Sequence, residues 1–162
     1  MPWAVVEPII EPDVRGLCTR AYEGHPRGCP NYGKRPTCPP EAPMLGDVLD
    51  LAQRVFAVWN VFDFAGHIER MVIAHPAWSD RQRRNCRYWQ GPARVRHRGI
   101  VAEFTREAVL SRAGILVPVF CPEACGVNVT ATMACVGVCL EWPPRTVAYQ
   151  VALVGIPKRQ GS

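Results

Sequence analysis

No apolar run in this chain approaches the ~20 residues that a membrane-spanning helix needs. The opening Met-Pro-Trp-Ala-Val-Val-Glu-Pro lacks the basic start and unbroken apolar stretch of a secretory signal. These absences give the expectation of a cytoplasmic protein without a membrane partner. In that compartment cysteines are metal ligands or buried thiols before they are disulfides, although the even count of eight leaves a disulfide framework open. Cys-x-x-Cys is also missing, which argues against the commonest structural zinc sites. Neither an internal repeat nor a linker interrupts residues 1–162, and with 48% apolar residues they read as a single domain with a real core. Histidine is sparse. His67, His75 and His97 are isolated, so no Ser/His/Asp arrangement can be read and the question of catalysis stays open.

Lysine is scarce too, so the net charge of +5 is nearly all guanidinium. Residues 81–112 hold nine arginines, Arg81 and Arg112 at the two ends, against only Glu103 and Glu107. Arginine favours planar, bidentate contact with phosphate or carboxylate. With Trp78, Tyr88 and Trp89 nearby the segment could meet nucleic acid; the plainer reading is a solvated helix face with core aromatics.

What the chain does have is cysteine before proline: Cys29-Pro30, Cys38-Pro39 and Cys121-Pro122. A residue before proline is held extended, which sets each thiol on a stiff segment. Nine of the twenty residues 24–43 are Gly or Pro, so neither helix nor strand can persist there. A loop of this length needs a source of order, and Cys18, Cys29 and Cys38 are the obvious staples. Their spacing is too wide for a zinc knuckle but suits an iron–sulfur cluster, 4Fe-4S first, with zinc as the alternative metal. Arg27, Lys34 and Arg35 could offset thiolate charge, and His25 is a solvated loop residue or a fourth donor.

Cys121 closes an expected strand just before a helix, where an α/β domain collects anionic ligands, and is the choice for fourth ligand. Cys125, one turn later, competes for that place or serves as a free thiol made acidic by the helix N-terminus. Cys135 and Cys139, four apart among apolar neighbours, read as small core residues, and Cys86 likewise as packing.

Around these landmarks the sequence predicts strands at 3–10 (an edge, because of Pro8), 55–64 (central and covered on both faces), 114–120 and 147–156. Helices are expected from an Asp47 cap to about 54, from Ser79 with its Gln82 capping box through 86–90, from Pro92 to about 112, and over 123–137. This alternation predicts an α/β class: a small, mostly buried mixed sheet, flanking helices, a metal-binding loop at 18–43 and a loose tail at 158–162. The first loop and Cys121 are expected to emerge at the same end of the sheet.

Cys29-Pro-Asn-Tyr-Gly-Lys with Cys38-Pro-Pro, and Glu123-Ala-Cys-Gly-Val-Asn-Val129 before an apolar final strand, resemble a microbial family of uncharacterised, cysteine-rich, predicted metal-binding proteins. The resemblance implies one cysteine-ligated metal site, presumed iron–sulfur, in an α/β domain. Many members look as if they carry a second cluster with a Cys-x-x-Cys before the Glu-Ala-Cys-Gly segment; here Phe120-Cys121-Pro122 replaces it, and one site is carried over. The expected function is a metalloprotein with a redox or sulfur-chemistry role and a small-molecule or redox partner. The alternative is a zinc-stabilised nucleic-acid-binding module using residues 81–112.

Overall fold

The computed structural model describes residues 2–22, 25–111 and 114–159. Four strands, β1 (Trp3–Val6), β2 (Val55–Asp63), β3 (Val117–Val119) and β4 (Val147–Gly155), form one sheet in the order β1-β2-β4-β3. Every neighbouring pair is antiparallel, so the sheet is not the mixed one that alternating elements suggested. The reason is topological. A helical crossover makes neighbours parallel only if it joins adjacent strands. Here the crossover joins β2 to β3, and β4 lies between them. β1 occupies an edge and stops at Val6, two residues short of Pro8.

β2 is the central strand its sequence promised, with a period of two that feeds both faces. Val55 and Ala57 point into one layer with Leu153, Val119, Leu45, Leu49, Val127, Val129 and Met133. These last five come from α1 (Leu45–Val48) with its following residue, and from α5 (Val129–Ala134) with the chain just before it. Val58 faces the other way and meets Ala152, Val154 and Leu116 beneath Val101 and Phe104 of α4 (Gln90–Leu110). At ~2–5 kcal/mol per Leu-to-Ala truncation, the fully buried Leu45, Leu49 and Leu153 anchor the first layer. A third cluster, Phe64, Trp89, Ala93 and Ala148, ties α2 (Phe64–Ala74) to the start of α4. Cys86 packs against it, as expected of a packing thiol.

Several helix boundaries differ from the sequence reading, each for a local reason. Residue 64 begins α2 rather than ending β2, because the Asp63 carboxylate accepts from the Gly66 N–H at 2.9 Å and caps the helix. Ser79 and Gln82 form the expected box on α3 (Asp80–Arg83). That helix ends at Arg83 with Arg84 as its cap, since Asn85 accepts from the Arg87 N–H and starts a separate 3₁₀ turn, Cys86–Tyr88. Asp47 lies inside α1, accepting from the Met44 N–H at 3.2 Å, rather than capping a helix to 54. The 123–137 helix is two pieces: Gly126 adopts φ 81°, a left-handed residue that ends the 3₁₀ turn Pro122–Cys125, and Asn128 caps α5 afresh. Lys158 is tied down, its N–H donating to Val48 O at 2.8 Å. Arg112 and residues 160–162 lie outside the described residues.

Candidate metal centre

The first loop is ordered by its own backbone. Cys18 lies in the 3₁₀ segment Pro12–Thr19, and its carbonyl accepts from the Cys29 N–H at 2.7 Å. Cys38 is held between the Cys38 N–H to Arg35 O bond (2.9 Å) and the Ala42 N–H to Cys38 O bond (3.0 Å), while Gly33 N–H reaches Pro39 O (2.8 Å). Arg15, a residue without a local sequence signature, straps the far end of the loop. Its guanidinium donates to Pro40 O and Ala42 O, both at 2.8 Å. The staples are therefore not the thiols alone, as the loop composition implied. All eight cysteines are free, against the disulfide alternative.

Cys121 reaches this loop by a different route from the one expected. β1 and β3 run in opposite directions along opposite edges, so their chains leave the sheet at opposite ends. Convergence comes from the chain turning back. Glu11 N–H donates to Gly126 O and Asn128 N–H to Ile9 O, each at 2.8 Å, with Ile10 and Val127 bridged between them. That short ladder packs Pro12–Thr19 against Pro122–Cys125 and so brings Cys18 to the Cys121 side of the molecule.

The electrostatics record the result. The Cys18 thiol is pushed up from its ordinary value by partial burial first, then by Cys29, Cys38 and Glu123, with Arg15 pulling the other way. Cys121 is pushed up by burial, then by Glu123 and Cys38, opposed by Arg94, with Cys18 adding a further push. Its sulfur-bearing side chain is nonetheless exposed: open on one side, crowded on the other. Tyr22, another residue the sequence did not flag, lies within reach of the same thiols. Burial, then Cys29, Cys86 and Cys18, raise its hydroxyl. Thus Cys38 bears on both Cys18 and Cys121, Cys29 bears on Cys18, and Arg15 and Arg94 lie on the two flanks.

Cys125 is no acidic thiol. It is buried in the first core layer beside Val127 and Met133, and burial, followed by Cys121, pushes it up to about 11. Cys135 and Cys139 are exposed rather than packed, because α5 ends at Ala134 and the turn at Gly137 carries both thiols outward. His67 and His97 are buried, their charging suppressed by burial; the His97 ring bonds Val58 O at 3.0 Å. His75 stacks on Trp78 at 3.9 Å.

Among the described residues, no three Cys, His, Asp or Glu side chains are set to hold a single metal ion. No helix among them is long and apolar enough to cross a membrane. In the basic segment Trp89 is core, and Arg84 is paired with Asp80 at 2.7 Å. Arg94, Arg96, Arg98 and Arg106 are exposed, and Arg98 sits 5.9 Å over the Phe120 ring, next to Cys121. No family model, curated protein or solved structure matches the chain.

Proposed function

We propose that this chain is a cysteine-ligated metalloprotein that binds one iron–sulfur cluster, 4Fe-4S, through Cys18, Cys29, Cys38 and Cys121, with a redox or sulfur-chemistry role. One observation carries the reading: the packing of Pro12–Thr19 against Pro122–Cys125 sets Cys18 and Cys121, from segments a hundred residues apart, where the Cys38 thiol raises both of them and Cys18 also raises Cys121. The donor set fits. Four thiols suit a cluster, and each would bond a different iron, which needs a wider spacing than the ~3.8 Å between sulfurs around a single tetrahedral zinc. The cluster, when bound, supplies one-electron transfer or, with an iron left open, Lewis-acid chemistry at sulfur.

The chain's own residues supply the setting. Arg15 and Arg94 offset negative charge on Cys18 and Cys121. The raised thiols hold their protons until a metal displaces them, so loading releases protons. Cys125, inside the apolar layer, is a packing residue, which favours Cys121 as fourth ligand. The nucleic-acid reading has less support: Trp89 is withdrawn into the core, and Arg94 and Arg98 border the thiol site.

Anaerobic purification with iron and sulfide analysis tests the proposal. A brown protein absorbing near ~400 nm, with about four irons and four sulfides per chain, is expected. Alanine at Cys18, Cys29, Cys38 or Cys121 should lower that content, and C125A should not. A colourless chain holding one zinc would overturn the reading, as would full iron retention in all four ligand variants.

A further inference from the structure

A hollow of about 480 Å³ opens on the first loop, walled by His25, Arg27, Cys29 and Lys34 together with Pro26 and Pro30. Its volume is on the scale of small-molecule sites. Among the described residues none of its walls is a carboxylate, and its ionisable groups apart from the thiol are bases. Arg27 and Lys34 are exposed, and among the described residues neither belongs to an ion pair.

The hollow is also preformed. Gly28, between Arg27 and Cys29, is buried with φ 80°, and a Cβ there would meet the Cys18 carbonyl oxygen at 2.6 Å. Pro26 and Pro30 fix the backbone on either side of it. Tyr22 and His25 exchange backbone hydrogen bonds of 2.8 and 3.2 Å, and Gly28 N–H reaches His25 O at 3.1 Å. The stiff frame fixes where the two exposed side chains start, so the backbone loses little freedom when they close on an anion and the cost is confined to their own rotamers.

We propose that this hollow binds the oxyanion group, carboxylate or phosphate, of a small molecule and places that molecule against Cys29, one of the four thiols. The purpose assigned to the site rests on the metal-centre reading; the binding itself rests only on residues 25–34.

The test is calorimetric titration of the anaerobically purified chain with sodium phosphate and, separately, sodium succinate at constant ionic strength. Saturable binding of at least one anion is expected. It should weaken by about tenfold or more in R27Q/K34Q, whose changes are at exposed positions, with iron and sulfide content unchanged. K34Q alone should weaken it by a smaller factor, and R81Q/R87Q should leave it intact. Tighter phosphate binding would point to a phosphorylated ligand, and tighter succinate binding to a carboxylate. Absence of saturable binding by either anion, or equal affinity in R27Q/K34Q, overturns the proposal. An iron-free chain that still binds the anion would refute the metal centre and spare the hollow; an iron-loaded chain that binds neither would do the reverse.

Discussion

The backbone N–H of Cys29 donates to the carbonyl of Cys18 across 2.7 Å, joining two thiol-bearing residues eleven positions apart. The contact is possible because Gly28 lets the backbone lie directly on Cys18 and Thr19.

Gly28→Ala should break that junction. A side chain at φ 80° costs about 1–2 kcal/mol, and relieving a 2.6 Å approach to a backbone oxygen adds a similar amount. A loss of roughly 2–4 kcal/mol in urea unfolding is expected, with lower iron content. An unchanged midpoint and full iron would show that the Cys18–Cys29 junction is dispensable.

Arg15→Ala removes a guanidinium that holds two carbonyls at 2.8 Å. Hydrogen bonds to charged groups contribute ~1.5–3 kcal/mol when buried, and this one is partly exposed, so about 1–2 kcal/mol is expected. Lysine should restore it only in part, since both carbonyls accept from the one nitrogen Nη2, which an ammonium can imitate, while the Nη1 contact to Met44 Sδ at 3.3 Å is lost. Faster limited proteolysis within residues 30–43 would accompany the loss. Wild-type proteolysis rates in R15A would show that the strap does not order the loop.

Thiol reactivity should separate Cys125 from its neighbours. With its pKa pushed up to about 11 from an ordinary 9.0, Cys125 carries about a hundredfold less thiolate near neutral pH, so iodoacetamide should label exposed Cys135 and Cys139 first. The folded state holds this proton more tightly than the unfolded state. The associated stability is complete below pH 9 and is lost as pH rises through about 11, on the order of 2–3 kcal/mol in all. C125A lacks that dependence, so its urea stability should fall less than wild type between about pH 8 and about pH 10.5. Parallel losses in the two proteins would contradict the assignment.

The sequence disclosed the central strand because Val55, Ala57 and Val58 are apolar on both alternating faces, and it disclosed the edge strand because Pro8 cannot enter a ladder. It did not disclose the antiparallel sheet, since which strand enters between β2 and β3 is decided by long-range packing that periodicity does not carry. α2 was hidden by apolar residues continuing past Asp63, whose capping role was the available signal. At the candidate site, cysteine before proline marked Cys29, Cys38 and Cys121, and a helical reading running to 137 misplaced Cys135 and Cys139, because α5 ends at Ala134 and the chain turns at Gly137. Arg15 and Tyr22 had no local signature, because their partners lie in other segments.

The ladder between residues 9–11 and 126–128 has a consequence for biosynthesis. Cys18, Cys29 and Cys38 leave the ribosome some eighty residues before Cys121, a delay of about 4–17 s at ordinary elongation rates. During that interval three thiols are displayed on a nascent chain that has neither β4 nor the returning segment to fold against. A metal delivered then would meet an incomplete set of donors on a mobile frame. On the metal-centre proposal, the topology places insertion after the returning segment has folded, and makes the short ladder a step that insertion has to await.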